Sequence, residues 1–499
     1  MTKTTDIDYE DIQGLVRFGH GQLSASAFLL LKIADLEAAR RWLNSAAITS
    51  ATESTPAPQS ALQVAFTAPG LRALGLAEDL VEQLSDEFVS GLGGDTNRSR
   101  RLGDTGSNAP QHWRWGGSAE TTPHLLLMVY ADPTRLDSLL TSIREPQFEQ
   151  AFTQLAELVS RHNGPREPFG FVDGISQPLI DWQQQVSTDL HQRDRYSNRL
   201  ALGEVLLGYR NEYGLYTERP LLNPLDVDRD DALPDAEDQP QLLDLGRNGT
   251  YLVLRQLAQD VRGFWQFVDD QAGADPQQRE QIAAAMVGRQ RDGTPLIAAA
   301  GEAIDGSEPS DRQNHFTYAR DPHGHGCPIG AHVRRANPRS GDFPVGVDNW
   351  LSRLVRTLGF GRRHHGDDLV ASSRFHRLLR RGRIYGVELT PEQALQAAAD
   401  DSEERGLHFI CLGANISRQF EFVQNAWCAS SKFAGLPSES DPLLGNREPL
   451  LNAAPTDHFS IPRAGAPARC IQGLPQFVRV VGGAYFFMPG IKALRFITR

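Results

Sequence analysis

Residues 327–339 read CPIGAHVRRANPR and set one histidine, His332, between an apolar approach (Pro328, Ile329, Gly330, Ala331) and a cationic exit (Arg334, Arg335, Arg339). An imidazole framed in this way can ligate a metal macrocycle while the guanidinium groups pair with anionic substituents at its rim. The plainer alternative is a structural histidine beside a solvated arginine cluster. A second stretch, GFVDGISQP at residues 170–178, holds Asp173 between Gly170 and Gly174. Glycines near a carboxylate allow an unusual backbone path, and Phe171 and Val172 give the acid a low-dielectric setting in which it can shuttle a proton. Its plain alternative is an aspartate that closes a turn on its own backbone. A third stretch, RLLRRGRIYG at residues 377–386, is strand-like. As strand neighbours, Arg380 and Arg381 face opposite sides, one toward a pocket and the other toward solvent.

The elements that must position these residues follow one recurring pattern. Residues 27–43, 125–140, 251–268 and 407–427 each read as an apolar strand that passes through a short polar turn into an amphipathic helix. Asp35 and Asp132 are the expected N-caps of the first two helices, with Pro133 at the first helical position of the second. Further strands are expected near 61–67, 380–387 and 477–488. Two copies in each half predict a duplicated α+β domain, with helices packed on one face of an antiparallel sheet. No strand-to-helix turn carries GxGxxG, which argues against a dinucleotide-binding fold.

At 499 residues the chain is long enough for two or three domains, and its 40% hydrophobic and 22% charged residues are those of an ordinary globular protein. The net charge of -12 argues against nucleic acid and against an anionic membrane surface. Four widely spaced cysteines without a CxxC suit a reduced compartment. The N-terminus is acidic and polar, without the apolar run of an export signal, so a cytoplasmic location is expected. His323, His325 and Cys327 are a weak candidate for a zinc or copper site.

Taken together and in order, these stretches resemble the dye-decolorising (DyP-type) haem peroxidases. GFVDG matches that family's GxxDG signature, AHVRRANPR its haem-ligand segment and RRGRIYG its distal-arginine strand. Residues 11–21, 203–214, 248–265 and 406–424 also look like family segments, so the likeness spans nearly the whole chain. It implies an N-terminal ferredoxin-like domain over residues 1–185 and a C-terminal one over 186–499 that carries haem b, one per chain. By the same resemblance, His332 is the proximal iron ligand, its other ring nitrogen hydrogen-bonded to a carboxylate, with Asp441 the first choice and Glu421 the reserve. Asp173 moves the peroxide proton, and Arg380, the first arginine of RRG, stabilises charge beside it. Arg334 or Arg339 pairs with a haem propionate, and Leu407 and Phe409 line the distal pocket.

The implied activity is peroxidation through an oxyferryl species that takes single electrons from bulky phenols or dyes; the alternative is a haem-handling protein with incidental turnover. The expected partners are hydrogen peroxide and an aromatic reductant, with no nucleic acid or membrane, and a homo-oligomer is compatible with the sequence. The stretch between His332 and Arg380 includes NWLSRLVRTLGFGRRHHGDDLV, which reads as an inserted amphipathic helix and a charged loop holding His364 and His365.

Overall fold

Every apolar run expected to be a strand is paired in one antiparallel sheet. The computed structural model describes residues 6–162, 164–185, 198–226, 233–297, 313–314, 316–318, 320–339, 373–396, 403–448 and 455–499. The inserted segment with His364 and His365 lies outside them. Among the described residues the main sheet has nine strands, here β1 Ala25–Ile33, β2 Ser60–Phe66, β3 Leu125–Ala131, β4 Phe152–Ser160, β5 Thr250–Gln259, β6 Leu379–Arg380, β7 Arg383–Tyr385, β8 Gly406–Gly413 and β9 Val478–Met488.

Their order is β6-β8-β5-β9-β2-β3-β1-β4, with β7 also paired to β8. In the first half, the second, third, first and fourth strands lie side by side. The second half repeats that order, counting β6 and β7 as its second strand. The halves meet where Phe487 of β9 pairs with Phe66 of β2. The α+β, ferredoxin-like class is therefore the observed one.

Strand side chains alternate between the two faces, and here both faces are covered. Ala27, Leu29 and Leu31 of β1 face one core, with Ala39 and Leu43 of helix α1, Leu36–Ser45; Phe28 and Leu30 face the other, with Leu15, Val16 and Leu206. Double coverage explains why β1 and β3 read as continuous apolar runs rather than alternating ones.

The caps show where turn chemistry decides. Asp35 accepts a hydrogen bond from the Ala38 amide at 2.8 Å and starts α1 as expected. Asp132 instead takes both the amide and the hydroxyl of Thr134, closing a turn, so the next helix, α2, runs Leu136–Ile143 and does not begin at Pro133. After β5, Asp260 caps α3, Val261–Ala272; α4, Pro276–Val287, follows. The fourth copy leaves β8 through wide π-type turns over Ser417–Glu421 and Val423–Ala429. Among the described residues no helix is long and apolar enough to cross a membrane.

Candidate active site

His332 opens α5, His332–Ala336, a helix too short to be stable alone. Arg335 holds it. Fully buried, its guanidinium donates to the carbonyls of Gly330, Trp427, Ser430 and Glu439, tying the helix to the π-type turn and to the segment after it. That segment carries Asp441, whose Oδ2 lies 2.8 Å from His332 Nδ1. Asp441 Oδ1 accepts the amides of Leu443 and Leu444, each at 2.9 Å, so the carboxylate is fixed on both sides.

Burial pushes the Asp441 carboxyl up, but the His332 charge, their hydrogen bond and the Leu444 amide together hold it down at about 2. Burial likewise disfavours charge on His332, and Asp441 outweighs it, raising the imidazole above its ordinary value. An anion at Nδ1 keeps the proton on that nitrogen and leaves Nε2 as a lone-pair donor. Among the described residues Nε2 has no hydrogen-bond partner, and the ring faces a largely apolar cavity of about 250 Å³. Glu421, the other acid considered, pairs instead with Arg98 and accepts from the Tyr485 hydroxyl.

Asp173 and Arg380 share that cavity. Positive φ at Gly170 (94°) and Gly174 (83°) gives the loop the path that brings Asp173 to the wall. Arg380 ends β6, and its Nη1 donates to Asp173 Oδ1 at 2.8 Å. Gln177 grips the arginine's backbone from both sides, accepting from Arg380 N and donating to Arg380 O, each at 3.1 Å. Burial would raise the Asp173 carboxyl; the Arg380 charge and bond, the Gly174 amide and His332 overcome it and hold the group below 3.8. The result is a standing carboxylate beside a fixed cation, able to take a proton and give it back. Leu407 and Phe409 of β8 line the same cavity.

Three expected positions differ. Arg381 is not turned to solvent: it donates to the Leu15 and Val16 carbonyls, because the strand breaks after Arg380. Arg334 and Arg339 are absent from the cavity wall. Arg334, two positions along the helix from His332 and so on its far side, binds Asp321 and the Cys327 carbonyl; Arg339 binds Asn314 and the Phe316 carbonyl.

The wall holds another cation that motif reading missed. Arg289, just beyond the Gly288 cap of α4, is 3% exposed and donates to Gly293 O, Gln313 O and Ser176 Oγ. No carboxylate pairs with it among the described residues. Burial, with Arg339 and Arg380 nearby, depresses it to about 10. A buried guanidinium without an acid partner is a ready site for an anionic group. Arg377 also lines the cavity, as do Asp104 and Arg255, which pair with each other. Among the described residues no group of three or more His, Cys, Asp or Glu side chains is arranged to hold a metal ion, although the His323 and His325 ring centroids lie 5.8 Å from each other.

No model of a known protein family matches the chain. It is 28% identical to dye-decolorizing peroxidase AauDyP1 of Auricularia auricula-judae, over 98% of this chain and 87% of that protein. It is 26% identical to Peroxidase 2 of Mycetinis scorodonius over the same shares. Identity is 30% to the multifunctional dye peroxidase DyP2 of an Amycolatopsis species, over 66% of this chain and 60% of that protein. Among solved structures, a fungal DyP-type peroxidase from Auricularia auricula-judae superposes with a TM-score of 0.71 at 25% identity, covering 99% of this chain and 100% of that one.

Proposed function

Since this chain belongs to the family of dye-decolorising (DyP-type) peroxidases, we propose that its cavity holds haem b, one per chain, with His332 as axial ligand and Asp173 and Arg380 as the groups that work on hydrogen peroxide. Members of the family are haem enzymes, and this chain is a peroxidase that oxidises bulky aromatic compounds one electron at a time. The observation that carries the site reading is that His332, backed by Asp441, and the Asp173–Arg380 pair face one largely apolar cavity.

The donor set suits such a group. His332 offers Nε2, the walls are apolar enough for a flat macrocycle, and Arg289 offers a buried cation to a propionate where Arg334 and Arg339 do not. Bound there, haem would supply the iron that takes up peroxide and would hold the oxidising equivalents that draw electrons from the substrate.

The rest is the work of the chain. Asp173, ionised at working pH, accepts the proton of one peroxide oxygen and returns it to the other, which leaves as water. Arg380 keeps its charge beside that exchange and stabilises the anion that develops. Asp441, through Nδ1, makes the His332 imidazole a stronger donor. Leu407 and Phe409 keep bulk water from the reacting oxygens.

A cytoplasmic setting is part of this reading, supported by four cysteines that remain thiols, three of them buried. So is a division at 185/186, supported by the repeated strand order on either side.

The deciding test is an absorption spectrum of the protein supplied with haem, followed by one equivalent of hydrogen peroxide. A ferric Soret band that shifts within seconds of peroxide addition, and that is missing from His332→Ala, is the expected result. A haem spectrum indifferent to peroxide would sink the catalytic assignment, and no haem uptake would sink the whole reading.

A further inference from the structure

The loop that delivers Asp173 is short and glycine-bearing, and something must hold its shape. The Asp173 side chain accepts from Arg380 at 2.8 Å, and its amide donates to Pro165 O at 2.9 Å. Between these two ends, Arg166 Nη1 donates to Gly170 O at 2.8 Å, and two amides of residues 165–173 close on one carboxylate side chain, Glu167. Its Oε2 accepts the Phe169 amide at 3.0 Å and Gln259 Nε2 at 2.9 Å, and its Oε1 accepts the Phe171 amide at 3.1 Å. The backbone closes the same ring, Glu167 N donating to Phe171 O at 2.9 Å and Gly170 N to Glu167 O at 2.7 Å. Both carboxylate oxygens thus accept from donors that define the turn, and one of those donors, Gln259, belongs to β5 of the sheet.

We propose that Glu167 is the positioning residue for Asp173, its carboxylate acting as the anchor on which the 165–173 turn is wound and through which that turn is tied to β5. Glu167 lies on the wall of the main cavity and also of a second, smaller one that it shares with Asp173, Arg380 and Arg383. It acts on peroxide only through Asp173. Replacing an oxygen by an amide nitrogen puts a donor where Phe169 and Gln259 already donate. The turn must then open on that side, and Asp173 drifts from Arg380.

Burial and the nearby Asp173 charge push the Glu167 carboxyl up to about 7. The anchor survives that protonation, because a neutral carboxyl keeps its carbonyl oxygen and a lone pair on the hydroxyl, whereas an amide gives up one acceptor altogether.

The catalytic half of this inference rests on the haem peroxidase reading, and the structural half does not. The experiment therefore uses Glu167→Gln with two readouts. In the haem-free protein at pH 8, amide hydrogen exchange of Phe169 and Phe171 is expected to quicken by about tenfold while β5 keeps its protection. In the haem-loaded protein, the second-order rate with peroxide is expected to fall by about tenfold or more, as a displaced proton-transfer group would make it. The acid limb of that rate should also move up toward the ordinary carboxylate range as Asp173 loses Arg380. General destabilisation would change the amount of folded protein but would not move that limb.

Unchanged exchange overturns the proposal, and so does quickened exchange with the parent's rate and pH profile. If Glu167→Gln does not fold, Gln259→Leu removes one donor and must change both readouts in the same direction by a smaller factor; no change there is equally fatal. Failure to take up haem would condemn the haem reading alone, since the exchange experiment needs none.

Discussion

The carboxylate of Asp173 and the guanidinium of Arg380, 207 positions apart in the chain, meet at 2.8 Å on the cavity wall, with 46% of the Asp173 side chain and 27% of the Arg380 side chain still exposed. A pair that is joined yet open can release its carboxylate to a small substrate without first dismantling a sealed core. Its stabilising effect on the fold is correspondingly modest.

Asp173→Asn should therefore leave folding and haem uptake near normal and lower the rate of the peroxide step by about a hundredfold or more, the usual contribution of a positioned proton carrier. Arg380→Leu should cost a similar factor through lost charge stabilisation. Stopped-flow mixing with peroxide, at matched haem content, measures both; a rate within a factor of two of the parent for either would remove that residue from the chemistry.

The pH profile carries the sign of the Asp173 shift. Arg380 outweighs burial and holds the carboxyl below 3.8, so the group stays ionised, and its pairing intact, until the pH falls through that lowered value. The acid limb of the peroxide rate, measured after a brief pH jump, should lie below pH 3.8 in the parent. In Arg380→Leu the strongest influence opposing burial is gone, and the limb should move up.

Arg289→Ala tests the anion site. Loss of one buried charge-assisted contact should weaken haem retention by about tenfold or more. The comparison that isolates charge is haem dimethyl ester, whose affinity should be nearly the same for parent and variant. An equal loss for both forms would mean that Arg289 only packs the wall.

Arg335→Met tests stability. The substitution strips four carbonyls of their donor, three of them in buried bonds. Unsatisfied buried acceptors cost about 1–3 kcal/mol each before relaxation, so a loss of at least about 3 kcal/mol in chemical denaturation is expected. Added haem should recover part of it by binding the native form.

Much of this arrangement is legible in sequence. The strand–helix units announce themselves because an apolar run is followed by a capping aspartate, as at Asp35 and Asp260, and local chemistry there agrees with the tertiary outcome. At Asp132 a competing Thr134 hydroxyl changes the turn, and the helix start slips to Leu136. The site is legible where residue type is unusual for its surroundings: His332, Asp173 and Arg380 fall on one cavity, and Asp441 beside it. Proximity in sequence misleads for Arg334, since a short helix turns residues two apart onto different faces. Arg289, Gln177 and Glu167 escape motif reading because their importance lies in contacts made across the fold. One signal was available: Glu167 sits six positions before Asp173 in the same loop, where a lone acid among Pro and Gly invites the question of what it binds.

The junction of the two halves has a practical consequence. Phe66 and Phe487 join what would otherwise be two separate sheet edges, and Phe487 packs there against Phe88 and Tyr251. Either half expressed alone would present an open, apolar strand edge, the usual seed of aggregation. It would also carry only half of the proposed site, Asp173 on one fragment and His332 with Arg380 on the other. Coexpressed, the same two edges offer each fragment a template for the other, so this chain is suited to split-protein complementation, with peroxidase colour as the signal that the pieces have met.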